Sequence, residues 1–299
     1  SIVLDYMNKS KAAILELQNA LQIDADNHGL RAGVRLAIHR FLEGKFKDSK
    51  KLLRGSSTIQ KKLASSFESE KVYQRYLLKI LDWHEDKSFE SSSSTNNKII
   101  YAIGDSHCLS SHCVSIEHAN CSYFCKSQLI KGCKQLDLGN KKENKFKTKF
   151  ESIISSLPKS SVLLLTIGEI DCRLDSGIIK HKEKNPEKDI EKLVLTTVGN
   201  YLTYIDSKAG DQYHVFIQGV PCPNIDTESH PKKKVGKLIE IIKLFNRELE
   251  NQAREKGFGF LDIHKLTDRG DGLSNNIWHI DEYHLSPSGI KEAWNKYSS

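Results

Sequence analysis

The sequence predicts an α/β protein: a three-layer α/β/α domain with a mainly parallel sheet over residues 98–299, preceded by a small all-α domain over residues 1–86. Three observations predict it. Residues 1–86 contain no proline and carry apolar side chains at helical spacing. Residues 87–97 (Lys-Ser-Phe-Glu-Ser-Ser-Ser-Ser-Thr-Asn-Asn) are polar and serine-rich, as a linker is. Beyond them the pattern changes to short unbroken apolar runs that alternate with amphipathic stretches.

Taken in order, Ile14, Leu17, Leu21 and Ile23 mark a first helix, and residues 24–27 (Asp-Ala-Asp-Asn) break it. Val34, Leu36, Ala37, Phe41 and Leu42 mark a second, which Gly44 should end by accepting a left-handed backbone. Phe46, Leu52 and Leu53 open a third, and Val72, Tyr73, Tyr76, Leu77, Ile80 and Leu81 a fourth. Strands are predicted at 98–103, 161–167, 213–218 and 258–263, the first three each followed by Gly. Helices are predicted over about 189–208 and 233–256, the second with Val235, Leu238, Ile241, Ile242, Phe245 and Leu249 on one face. In such a fold, functional groups collect at the carboxyl ends of the strands.

The composition excludes several classes. Hydrophobic residues make up 38% and charged residues 28% of the 299, which suits a globular chain rather than a disordered one. The net charge of +7 is mixed in sign along the chain and predicts no nucleic-acid partner. No apolar run is long enough to predict a membrane span. The seven cysteines, an odd number without paired spacing, read as reduced thiols, which favours a cytoplasmic location. Zinc held by the cysteines near His107, His112 and His118 is the alternative, but no Cys-x-x-Cys pair supports it. Neither a metal nor a cofactor is expected.

Two short segments carry chemistry. The first predicted strand ends in Gly104-Asp105-Ser106-His107, which presents a serine at a strand's carboxyl end. Near the other end of the chain, Asp281-Glu282-Tyr283-His284-Leu285-Ser286 holds a histidine three residues after an aspartate. A nucleophilic serine needs a base within hydrogen-bond reach, and the base needs an acceptor to fix its tautomer. Asp281 and His284 have the spacing to supply both from one loop. A metal site from His279, Asp281 and His284 is the competing reading, though no fourth ligand is apparent.

Together these segments resemble the SGNH/GDSL hydrolase family. Gly104-Asp105-Ser106-His107 matches its first block, with His107 in place of the usual Leu, and 281–286 matches its last, Asp-x-x-His-Leu-Ser. Phe245-Asn246, Leu249, Ala253 and 257–263 are similar to the helix and strand that precede the last block, so the resemblance spans residues 98–298. It implies Ser106 as nucleophile, His284 as general base and then acid, and Asp281 as its orienting partner. It implies an oxyanion hole from the Ser106 N–H, a second-block glycine (Gly132, with Gly139 as alternative) and the third block at Gly168. That block departs from the usual Gly-x-Asn-Asp: Gly168-Glu169-Ile170-Asp171 puts Ile170, which has no donor, at the Asn position. Glu169, Asp171 and Arg173 are expected in a substrate pocket, or simply paired with one another at the sheet rim. In the helical half, residues 20–27 followed by Leu36-Ala37, Gly44, Phe46 and Ser49 resemble a tetratricopeptide repeat.

The resemblance implies a serine esterase, with a small-molecule or glycan ester as substrate and O-deacetylation of a sugar as the leading case. O-acetyl transfer is close behind. A catalytically inert module that binds a protein partner through the helical segment is the rival reading, and Ile170 is the residue that favours it.

Overall fold

The computed structural model describes residues 10–23, 25–59, 68–86 and 98–298. The chain forms two compact units, residues 1–95 and 96–299. The serine-rich stretch 87–97, expected as a linker, lies outside the described residues.

The first unit is helical: α1 (Ser10–Ile23), α2 (Ala25–Leu42), α3 (Phe46–Ile59) and α4 (Glu68–Asp86). α2 begins at Ala25, so residues 25–27, expected within a break, are helical; Asp24 lies outside the described residues. Leu17, Ala32 and Leu36 form one buried cluster with Ile14, Leu21 and Leu52 packed against it. Gly44 adopts φ +75°, and the bonds Gly44 N–H to Phe41 O (2.8 Å) and Lys45 N–H to Arg40 O (2.8 Å) close α2 in a Schellman turn. Ser49 is fully buried where α3 meets α2 and donates its hydroxyl to Ala37 O at 2.8 Å, so the site suits a small residue.

The second unit is built on a six-stranded sheet: β1 (Lys98–Gly104), β2 (Ser115–His118), β3 (Cys121–Leu129), β4 (Val162–Thr166), β5 (His214–Gln218) and β6 (Gly259–Leu261), in the order β2-β3-β1-β4-β5-β6. All neighbours are parallel except β2, which pairs antiparallel to β3 at the edge. Every residue of β4 is buried, so both faces of the sheet are covered. The covering helices are α5 (Gln135–Leu138), α6 (Lys145–Ser155), α7 (Glu169–Cys172), α8 (Gly177–Lys184), α9 (Ile190–Ile205), α10 (Lys232–Glu255), α11 (Ile263–Thr267) and α12 (Pro287–Ser298). The predicted apolar face of α10 is buried throughout. α12 brings Trp294 against Phe216 of β5 and His118 of β2 (ring centroids 4.9 and 5.2 Å apart).

Two differences from the sequence reading stand out. The hairpin β2–β3 was not anticipated, and β6 is shorter than 258–263 because Ile263 already starts α11. Register places Gly104, the last residue of β1, opposite Leu129 of β3 and Thr166 of β4. A Cβ on Gly104 would overlap Thr166 Oγ1 and stand 2.9 Å from the Thr166 carbonyl oxygen. Gly104→Ala is therefore expected to cost about 1–3 kcal/mol through overpacking. Urea unfolding checks this: an unchanged midpoint would mean that β1 and β4 separate freely at this end.

Candidate active site

Three loops at the carboxyl ends of β1, β4 and β5 meet a fourth that precedes α12. The first follows β1. Asp105 caps a short, wholly buried 3-10 helix, Ser106–Ser111, its carboxylate accepting the His107 N–H at 2.9 Å. Ser106 thus opens a 3-10 turn at the carboxyl end of β1.

The fourth loop holds the partner groups. Asp281 Oδ1 accepts the N–H groups of Tyr283 (2.9 Å) and His284 (2.8 Å), which folds the loop back on itself. The same carboxylate meets His284 Nδ1 at 2.9 Å through both oxygens. His284 Nε2 then lies 2.8 Å from Ser106 Oγ, across 178 residues of sequence. With Nδ1–H donating to the carboxylate, Nε2 carries the lone pair and accepts the Ser106 hydroxyl. Burial opposes the Asp281 charge, but the His284 imidazole and the two backbone donors outweigh it and hold the carboxyl well below its ordinary range. Burial also pulls His284 below the ordinary imidazole value, with Asp281 opposing and the nearby His107 adding to the effect. Asn224, after β5, steadies the loop by donating Nδ2–H to Asp281 O at 2.9 Å.

The three glycines expected near an oxyanion hole differ in their surroundings. Gly132 adopts φ +72° just past the point where the Ile130 N–H reaches Gly104 O (2.6 Å). Its N–H makes no hydrogen bond with a described group. The Gly139 N–H is taken by Gln135 O at 2.8 Å in capping α5, which removes Gly139 as the alternative. Gly168 caps α7 at φ +150°, and a Cβ there would press within 3.2 Å of Gln135, Phe245 and Val220.

The expected pocket trio separates. Glu169 and Arg173 form a part-buried ion pair (Nη2 to Oε2 2.6 Å, Nε to Oε1 2.9 Å), and the guanidinium lies 4.2 Å over the Tyr283 ring. Asp171 points elsewhere, contrary to its expected place in the pocket. It is buried under α5, where Oδ2 accepts the Gln135 N–H (2.8 Å) and Oδ1 the Leu136 N–H (3.2 Å). It is a helix cap, which a linear reading cannot see because the capped helix is 36 residues away. Burial pushes its carboxyl up to about 7, with those two donors opposing.

A cavity of about 410 Å³ reaches the last loop at Glu282 and Tyr283, while Ser106, Asp281 and His284 do not line it. Val220, Pro223, Leu238 and Ile242 give it an apolar floor, and Glu169, Arg173 and Tyr283 form one wall. Asn246 of α10 pins the Val220 segment by bonding both its N–H (2.8 Å) and its carbonyl (3.0 Å).

The histidines weighed for zinc have separate partners. His107 contacts Asp105 and Tyr283, His112 Nδ1 accepts the Ser127 N–H, and His118 contacts Ser298. His279 does not join Asp281 and His284: its Nδ1 is 2.8 Å from Ser274 Oγ, and burial pulls it down to about 4. All seven cysteines are free thiols. Among the described residues, Cys222, His264 and Asp268 form a grouping able to hold a cation, their ligand atoms lying within 4.8 Å of one another. Only His264 and Asp268, four apart at α11, carried a local spacing signal; Cys222 did not. Among the described residues no helix is long and apolar enough to cross a membrane.

No family model matches the chain, and no curated protein does. Solved structures do resemble it. One is a GDSL-like lipase from Bacteroides thetaiotaomicron VPI-5482, 13% identical over 72% of this chain and 96% of that chain, with a TM-score of 0.44. Another is phospholipase A1 from Streptomyces albidoflavus NA297, 15% identical over 68% and 100% of the two chains, with a TM-score of 0.35. A third is the lipase/acylhydrolase from Enterococcus faecalis, 13% identical over 67% and 95%, with a TM-score of 0.40. Likeness at this level carries no weight for the chemistry, which rests on the groups around Ser106.

Proposed function

We propose that this chain is a serine hydrolase of SGNH/GDSL type that cleaves an ester by acyl-enzyme chemistry. The observation that carries the reading is the relay Ser106 Oγ to His284 Nε2 at 2.8 Å and His284 Nδ1 to Asp281 at 2.9 Å. In this mechanism Ser106 Oγ attacks the ester carbonyl while His284 Nε2 takes its proton. The C–O bond to the alcohol breaks, and the imidazolium returns the proton to the leaving oxygen. Water then attacks the acyl-serine, with His284 again as base, releasing the acid and restoring Ser106. Asp281 stabilises the imidazolium in both halves.

The oxyanion falls to the Ser106 and Gly132 N–H groups, with Gly168 shaping the third side. Ile170 brings no donor, and a missing donor costs about 10²–10³ in kcat. A turnover number low for an esterase is consistent with the reading. The cavity at Glu282 and Tyr283 of the same loop far exceeds an acetyl group, so it suits the alcohol portion. Its apolar floor, with the Arg173–Glu169 pair and Tyr283 on the wall, has the mixture of flat and hydrogen-bonding surface that a sugar ring takes. An O-acylated glycan is therefore the leading substrate, with O-acetyl transfer to a second alcohol as the variant reaction.

Ile170 at the position of the usual Asn favours one other reading: an inert module whose helical unit binds a protein partner. A fluorophosphonate probe decides between them. Covalent labelling at Ser106, confirmed by mass spectrometry of the labelled peptide, is the expected result. If Ser106 stays unlabelled at neutral pH under conditions that label a control serine hydrolase, the esterase reading fails.

A further inference from the structure

His107 is buried beside the Ser106–His284 pair, and its two ring nitrogens face two different acceptors. Nδ1 lies 3.0 Å from Asp105 Oδ1, and Nε2 lies 3.0 Å from the Tyr283 carbonyl oxygen. A carbonyl oxygen only accepts, so Nε2 carries a hydrogen. Asp105 Oδ1 already accepts the His107 backbone N–H at 2.9 Å, as a cap carboxylate does. Among the described residues Asp105 Oδ2 has no hydrogen-bond partner, so the His107 ring is the hydrogen-bonded counter-charge of this buried carboxylate, with Arg173 adding a longer-range one. Satisfying both acceptors requires a hydrogen on each ring nitrogen.

We propose that His107 is a positioning residue held as an imidazolium. It clamps the Asp281–His284 loop to the end of β1, and its charge keeps His284 neutral and able to act as base at lower pH than an uncharged residue would allow. The proposal rests on the hydrolase reading for its effect on turnover, but not for the charge itself. The two imidazole rings are 4.7 Å apart, close enough for the charge on one to oppose protonation of the other. The charged and titratable groups coupled to His107 are Asp105 on its own segment, Glu169 of α7, and His279 and His284 of the last loop; Asp281 acts on those two histidines, and Arg173 on Asp105. Burial works against the charge on His107, but the adjoining Asp105 outweighs it and lifts the imidazole to about 9, with Glu169 and the Tyr283 carbonyl adding to the rise.

Two measurements test it. In the wild-type protein, nitrogen-15 NMR of the histidine rings at pH 8 should show both His107 nitrogens protonated. A lone-pair nitrogen in that ring, with the proton on Asp105 or absent, overturns the imidazolium. In His107→Gln the side-chain amide can still donate to the Tyr283 carbonyl but brings no charge. The acid limb of kcat/KM on a neutral activated ester should then move up by about one pH unit. The His284 ring titration, followed by NMR, should move with it. A folded His107→Gln protein in which neither moves overturns the electrostatic role. If the variant does not fold, the wild-type ring spectrum still decides the charge. If the protein labels with no fluorophosphonate and turns over no ester, the hydrolase reading falls while the two NMR readouts stand on their own.

Discussion

Ser106→Ala should lower kcat/KM on an activated ester by about 10⁴–10⁶-fold, to the residual rate left by binding and oxyanion donors. The substitution removes the hydroxyl oxygen that lies 2.8 Å from His284 Nε2. It leaves the base and its carboxylate in place, because Asp281 holds His284 through the Nδ1 contact and through the backbone N–H at 2.8 Å. Stability should change little, so a loss of rate with an unaltered unfolding midpoint assigns the effect to chemistry. Fluorophosphonate labelling should vanish in parallel. Turnover within tenfold of wild type would remove Ser106 from the mechanism and return attention to a metal-assisted route.

Asp281→Asn should lower kcat by about 10⁴-fold near neutral pH, although it changes almost nothing in shape. The Asn carbonyl can still accept the Tyr283 and His284 N–H groups that Asp281 Oδ1 accepts now. Toward His284 Nδ1, however, the amide presents N–H donors or a weaker acceptor. Nδ1 then becomes the lone-pair nitrogen, and Nε2–H faces Ser106 as a donor that cannot take its proton. The carboxylate also opposes the fall of the His284 imidazole caused by burial. Its removal sends that imidazole lower still, so the rate that survives should lose its acid limb to more acidic pH. The pH profiles of kcat for both proteins check this, and a loss under tenfold would mean that Asp281 serves only the shape of the loop.

Much of the fold was legible because its central strands are plain. β1, β4 and β5 are continuous apolar runs, and α10 carries an unbroken buried face. The hairpin β2–β3 was not legible, for a local reason. Its two-residue turn is Ala119-Asn120, both at positive φ (48° and 59°). Such turns are normally announced by Asn-Gly or Asp-Gly, and Ala gives no such warning. β3 also interleaves cysteine, serine, lysine and glutamine, so it lacks the aliphatic signature of its neighbours.

At the site, Ser106, Asp281 and His284 were legible because each stands in a short motif of fixed spacing. Asp171 was misplaced because its partners, Gln135 N and Leu136 N, are long-range backbone groups that no pattern of side chains reveals. His107 was noted as a departure from the usual Leu, but its meaning depends on the Tyr283 carbonyl, 176 residues away. Asn224 and Asn246, which steady the loops around the site, likewise act through backbone atoms brought near only by the sheet.

The 178-residue separation of Ser106 from His284 has a consequence for how the protein matures. Closing a loop of that length is entropically late, and the parallel pairings β1–β4, β4–β5 and β5–β6 that carry the chain from one residue to the other are all non-local. On the proposed mechanism, Ser106 then waits for His284, and the chain is expected to stay chemically silent during assembly. On refolding from urea, ester turnover should therefore return after helical circular dichroism, as the last observable to recover.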